Sequence, residues 1–281
     1  LPLLTMGLFL VYSNLANAIN GEYFIGIDKQ ATILSGDYAG LSNPNEGRLT
    51  FLFAHPDEDN PSHSHYHSIG SYSYSGAIGN PLVNLTNTNN RLPETFSEQS
   101  ALPLFPGSGV HSGHLINKYI PDLEYSNMHI QSTQSLNGAE KGTVENFLFH
   151  SSEDRWSNSL DNVVLGLKLI GITNGLKVAD EWGNTILSSP NDIYSLGRGN
   201  DFSFTPTFFT AENAAVGVYS ASFGLVDLNS GALDSGIFNI DFQVSPVPEP
   251  SALLMLSVGL LGIAISRRGK FLASRNKSVL N

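Results

Sequence analysis

The sequence contains no cysteine. Disulfide frameworks, thiol nucleophiles and thiolate metal sites are excluded, so any metal site must use imidazole, carboxylate, amide or water. Basic residues are scarce: 14 Lys and Arg stand against 25 Asp and Glu, a net charge of −11. That balance argues against a nucleic-acid binder, which needs a basic face for the phosphate backbone. Three catalytic signatures are also missing. H-E-x-x-H, G-x-S-x-G and G-x-x-x-x-G-K-[ST] do not occur, and with them go the metalloprotease helix, the nucleophile elbow and the phosphate loop. No segment has the apolar periodicity of an amphipathic helix of ordinary length, and only Asp180–Leu187 is expected to form a short one.

What the sequence does have is turn chemistry. Its 27 Gly and 14 Pro, with many Asn and Ser, separate short apolar or alternating runs. Strands are expected at Tyr23–Ile27, Arg48–Ala54, Tyr66–Tyr74, Asn127–Thr133, Thr143–Phe149, Val163–Ile170, Val216–Phe223 and Gly236–Val244. The last contains a clean alternation of Phe238, Ile240, Phe242 and Val244 with polar neighbours. Eight such runs predict an all-β fold: a single β-sandwich-like domain over residues 19–246. Residues 84–90 and 93–106 form a long excursion, a feature that in a compact domain usually carries function. Gly47–His55 and Gly142–His150 resemble each other, and both read as strands ending in a histidine.

The two ends read differently. Residues 1–18 begin with an apolar run and finish on Ala16-Asn17-Ala18, the small-x-small pattern of a signal-peptide cleavage site. Residues 247–281 open with Pro248-Glu249-Pro250, continue through the apolar stretch Ala252–Ile265 and reach Arg267-Arg268. This order resembles the PEP-CTERM sorting signal, and the tail continues past the arginines to Asn281. The apolar stretch is short for a hydrocarbon core of roughly 30 Å, which suits transient insertion of a single helix in the inner membrane. The resemblance implies an exported protein destined for the cell surface, outer membrane or extracellular space, with an exosortase-type protease as partner. Between these ends, residues 19–246 hold 24 of the 25 acidic residues and nine of the 14 basic ones, a net charge of −15. Such a surface favours cations.

All eight histidines fall between positions 55 and 150: His55, His63, His65, His67, His111, His114, His129 and His150. The segment His55-Pro-Asp-Glu-Asp-Asn-Pro-Ser-His63-Ser-His65-Tyr-His67 packs four imidazoles and three carboxylates together. If residues 63–67 are extended, the period of two puts three imidazoles on one face, about 6.5–7 Å apart along the chain. Two of them then reach a single ion at Zn–N distances of about 2.1 Å. At least one more ligand is expected from elsewhere, from His55, from the His111-x-x-His114 pair, or from His129 and His150. Asp57, Glu58 and Asp59 are candidates for further ligands or for orienting groups. Tyr66, Tyr72 and Tyr74 read as strand packing, and Trp156 and Trp182 as core or rim anchors. Imidazole-rich, sulfur-free ligands suit Zn²⁺, Cu²⁺, Ni²⁺ or Co²⁺ more than the oxygen-seeking Ca²⁺ and Mg²⁺. The three methionines form no cluster that would mark a Cu(I) carrier.

The stretch LTFLFAHPDEDNPSHSHYHSIGSYSYSG, with NPLVNLTNTNNRLPETF after it, resembles a cyanobacterial group of PEP-CTERM proteins described as repressed by the zinc uptake regulator. That resemblance implies a protein made when zinc is scarce, zinc as its ion, a zinc uptake system as a partner, and His55, His63, His65, His67, His111 and His114 as metal residues. His129 and His150 enter from composition alone. The expected function is capture or buffering of zinc at the cell surface, without enzymatic activity. Two rivals are a non-enzymatic surface or matrix protein and a zinc-dependent extracellular hydrolase using His55, one imidazole of the triplet and Glu58.

Overall fold

The run Leu49-Thr-Phe-Leu-Phe-Ala54 is apolar at both alternating sets of positions, which a strand with one wet face would not need. The computed structural model, which describes residues 22–246, supplies the reason. Strand β2 (Leu49–His55) lies inside a five-stranded sheet between β1 (Tyr23–Ile27) and β3 (His65–Ser68), antiparallel to both. Ile130–Ser132 pairs parallel to β1, and Ser203–Phe204 closes that edge. One face of β1 and β2, carrying Tyr23, Ile25, Phe51 and Phe53, enters the main core. The opposite face, carrying Phe24, Leu52 and Ala54, packs on a second cluster with Leu136, Val144, Leu148, Phe149 and Trp156. Both faces are dry, so both sets of positions are apolar.

A second sheet runs in the order Ile193–Arg198, Val164–Ile172, Gly217–Asp227, Phe238–Val244 and Arg91–Leu92, with Leu102–Pro103 also pairing with Phe238–Val244. A third joins Thr185–Leu187, Lys177–Ala179, Thr207–Ala211, His114–Ile116 and Phe105–Pro106. Aromatic rings knit the three sheets at the core. Phe51 stacks on Phe238 at 4.4 Å between centroids, and Phe208 meets Phe242 at 4.5 Å. The fold is therefore all-β with long loops, and its helices among the described residues are two short α-helical segments and three 3₁₀ turns. No described helix is long and apolar enough to cross a membrane. The expected signal peptide at 1–18 and sorting helix after Pro246 lie outside the described residues.

Several local expectations are corrected. Thr143–Phe149 is not a strand. Val144–Phe149 forms helix α1, whose N-cap Thr143 accepts the Asn146 N–H at 3.3 Å, with Glu145 in the first turn. Val144 and Leu148, four residues apart, are buried on one side of it. The likeness between Gly47–His55 and Gly142–His150 therefore has no structural counterpart: His55 ends a strand and His150 caps a helix. Asp180–Leu187 is not a helix. The Asp180 carboxylate accepts the Trp182 and Asn184 N–H groups, Gly183 takes φ +86°, and Thr185–Leu187 continues as a strand. Tyr66–Tyr74 is interrupted, pairing as β3 and again at Ser73–Ser75. The excursion after Asn84 is partly ordered by the parallel pairing of Arg91–Leu92 and Leu102–Pro103 with the second sheet. Between those two short pairings runs the segment that carries Glu94.

Candidate metal centre

The β2–β3 register decides which imidazoles meet. His55 stands directly opposite His65, and Phe53 opposite His67. Opposed residues in an antiparallel pair share a face, so His55, His65 and His67 line up at the end of the face whose inner part is Phe53 and the core. Ring centroids are 4.0 Å apart for His55–His67, 5.0 Å for His65–His67 and 5.4 Å for His55–His65. Glu94 arrives from the excursion and is 2% exposed. Its Oε2 lies 2.8 Å from His67 Nδ1 and 3.4 Å from His55 Nε2, and it accepts the Tyr125 hydroxyl at 3.3 Å. Ligand atoms from His55, His67 and Glu94 all fall within 4.8 Å of one another.

Burial by itself would raise the Glu94 carboxyl, but hydrogen bonds and charge from His55 and His67 outweigh it and hold the group below its ordinary value. Glu94 is thus a buried carboxylate. Tyr125 is pushed the other way, first by burial and then by the Glu94 charge, and so remains a hydroxyl donor. Tyr125 is itself fixed, because its carbonyl oxygen accepts the buried Tyr23 hydroxyl at 2.9 Å.

Hydrogen-bond accounting at His65 and His67 is specific. His65 Nδ1 sits 2.8 Å from the His63 carbonyl oxygen, which can only accept. His67 Nδ1 sits 2.8 and 3.1 Å from the two Glu94 oxygens, also acceptors. Both Nδ1 atoms therefore carry the proton, and in neutral imidazoles both Nε2 atoms are lone pairs. Those two Nε2 atoms face each other at 3.1 Å. Opposed lone pairs need a cation between them, either a proton on one ring or a shared metal ion. Zn–N bonds of about 2.0–2.1 Å in tetrahedral geometry place two nitrogens roughly 3.3–3.4 Å apart, close to the observed spacing. A carboxylate behind a ligating imidazole is the usual means of fixing its tautomer and raising its basicity.

His67 belongs to two alternative seats. With Nδ1 protonated toward Glu94, its Nε2 faces His65 and the carboxylate is an orienting group. The seat formed by His55, His67 and Glu94 needs the other tautomer, with Nδ1 free of its proton and the carboxylate a ligand. Cavities flank the cluster on both sides. One of about 310 Å³ is lined by His55, Tyr119, Asp122 and Glu124, and one of about 560 Å³ by His67, Asn87, Asn89 and Glu94. Glu124 also stands 3.4 Å from His55 Nδ1.

The other predicted histidines stand elsewhere. His63, on the turn Pro61–His63, is exposed and lies 3.4 Å from Asp57; Glu58 and Asp59 point to solvent. His111 and His114 belong to the third sheet and its preceding turn, both against Phe209. His129 pairs with Glu22 and Ser203. His150 pairs with Asp154. Trp156 is buried as expected of an anchor, whereas Trp182 is 68% exposed. Sequence reasoning missed Glu94. Its one signal is position inside the long excursion, since nothing in Leu-Pro-Glu-Thr marks a buried carboxylate.

The described residues thus form a β-rich unit with imidazoles gathered at one rim beside a buried carboxylate. Residues 246–268 match the PEP-CTERM protein-sorting motif. The motif marks an exported, cell-surface-associated protein whose sorting signal is of the kind an exosortase processes. No curated protein and no solved structure matches the chain.

Proposed function

We propose that this exported protein captures a transition-metal cation, zinc as the sequence resemblance implies, at the rim formed by His55, His65, His67 and Glu94. The facing Nε2 atoms of His65 and His67, with both Nδ1 atoms already committed, are the observation that carries the reading. Flanking cavities leave the ion exchangeable with solvent, and the net charge of −15 over residues 19–246 concentrates cations near it. Ions bound by neutral imidazole are released on mild acidification, which suits buffering or hand-over to a zinc uptake system at the surface when zinc is scarce.

Calorimetric titration of zinc into the full chain tests this. His67→Ala removes a ligand from both seats and is expected to abolish binding. Glu94→Gln, which keeps the shape but loses the charge, is expected to weaken it by about 10- to 100-fold. His65→Ala and His55→Ala then separate the seats, the one that loses more affinity marking the occupied seat. Unchanged stoichiometry and affinity in His67→Ala overturns the proposal and leaves a surface or matrix protein whose histidines are incidental.

A further inference from the structure

A second chemical cluster lies at the far edge of the first sheet, among residues the metal centre does not use. His129 immediately precedes Ile130–Ser132, and Ser203 starts the edge strand paired with it. His129 Nε2 is 2.8 Å from Ser203 Oγ. On the other side of the ring, His129 Nδ1 is 3.3 Å from Glu22 Oε2. Glu22 is held in turn by Gln131, whose amide donates to Oε2 at 2.7 Å. The His129 backbone is fixed as well, because its carbonyl oxygen accepts the Tyr23 N–H at 3.0 Å. The sequence of contacts is hydroxyl, imidazole, carboxylate, with the carboxylate anchored by an amide.

That order has a chemical meaning. A serine hydroxyl is a weak nucleophile until a base takes its proton, and the base works best when a third group fixes its tautomer and favours its protonated form. Glu22 does both: its hydrogen bond to His129 raises the imidazole above its ordinary value against the lowering effect of burial. Nδ1 then carries the proton and Nε2 presents its lone pair to Ser203. Ser203 is solvent-exposed and lines a cavity of about 160 Å³ with Asp180, Trp182, Tyr194, Leu196 and Phe204. The indole of Trp182, 68% exposed, gives this small cavity an aromatic wall. A short acyl group fits that volume.

We propose that Ser203 is a nucleophilic serine activated by His129, with Glu22 as its positioning residue, and that it cleaves esters of short acyl groups. Ser203 Oγ attacks the ester carbonyl carbon as its proton passes to His129 Nε2. The C–O bond to the alcohol breaks and the alcohol leaves with that proton. Water then attacks the acyl–Ser203 ester, giving one proton to His129 and releasing the carboxylic acid as Ser203 recovers its hydrogen. The absence of G-x-S-x-G is no obstacle, because such relays are defined by geometry and recur on unrelated folds.

The test is covalent labelling of the full chain with a fluorophosphonate probe, with the modified peptide mapped by mass spectrometry and p-nitrophenyl acetate hydrolysis followed in parallel. Labelling is expected on Ser203 and not on other serines. His129→Ala should slow it about 100-fold. Glu22→Gln should slow it too and move the onset of labelling to lower pH, because the imidazole loses the carboxylate that raises it; a merely structural carboxylate would leave that onset unchanged. Because the wild-type chain itself is labelled and mapped, the result does not hinge on how the variants fold. Absence of label on Ser203 in the folded wild-type chain, or label spread over many serines, overturns the proposal. Zinc binding is untouched by either result.

Discussion

At the scale of single residues, the chain places carboxylates where backbone or imidazole donors converge on them. Glu94 is one case and Asp227 another. The Asp227 side chain, almost fully buried at the end of Gly217–Asp227, accepts Val164 and Asn229 N–H groups on Oδ1 and Gly231 and Ala232 N–H groups on Oδ2, at 2.6–2.9 Å. Burial would raise this carboxyl, but the N–H donors outweigh it and hold it below the ordinary 3.8. A group lowered in the folded state lends stability above its unfolded value and loses it as pH falls through the folded one. Asp227→Asn keeps the Oδ1 acceptor but turns an NH₂ toward Gly231 and Ala232. The variant should be about 2 kcal/mol less stable at neutral pH. Urea unfolding at a series of pH values checks this: the gap should be widest near neutrality and shrink below about pH 3.8. A gap that stays constant down to acid pH contradicts the carboxylate's role. Legibility at this scale was uneven. The period of two made His65 and His67 readable as neighbours, and register explains why His55 joins them. Glu94 was not readable, because its partner His67 lies 27 residues away and only the folded excursion brings them together.

At the scale of elements, strands with unambiguous alternation or doubly apolar runs were the legible ones. The strands expected at Gly236–Val244 and Arg48–Ala54 form at Phe238–Val244 and Leu49–His55, because burial on one or both faces dictates side-chain type position by position. Val144–Phe149 did not, since Phe147-Leu148-Phe149 looks like a strand when taken alone. The competing signal was present in Thr143, an N-cap residue, followed by Glu145 in the first turn and by Val144 and Leu148 at helical spacing. Thr143→Val distinguishes the two conformations, since valine favours strands but cannot cap. The substitution is expected to destabilise the protein by about 1 kcal/mol, read from the denaturation midpoint. A neutral or stabilising effect would mean that the cap contributes nothing to α1. Asp180–Leu187 failed for the opposite reason: Asp180 satisfies the following N–H groups as a turn, and Gly183 at positive φ ends any helix there.

At the scale of the whole molecule, composition and fold point in one direction. The absence of cysteine removes thiolate ligands, and the excess of acid and the crowding of every histidine into residues 55–150 put imidazole and carboxylate first among the metal ligands that remain. An all-β unit brings three of those imidazoles and one buried carboxylate to a single rim, and the sorting motif at 246–268 directs the protein to the surface. Which distant residues would meet depended on sheet register and on the path of residues 84–106, neither of which local patterns encode. Zinc K-edge X-ray absorption on the full chain loaded with one equivalent of zinc reads the rim's chemistry directly. Scattering from at least two imidazole rings, with bonds of about 2.0–2.1 Å, is the predicted spectrum. A first shell of oxygen alone, without imidazole multiple scattering, would contradict it.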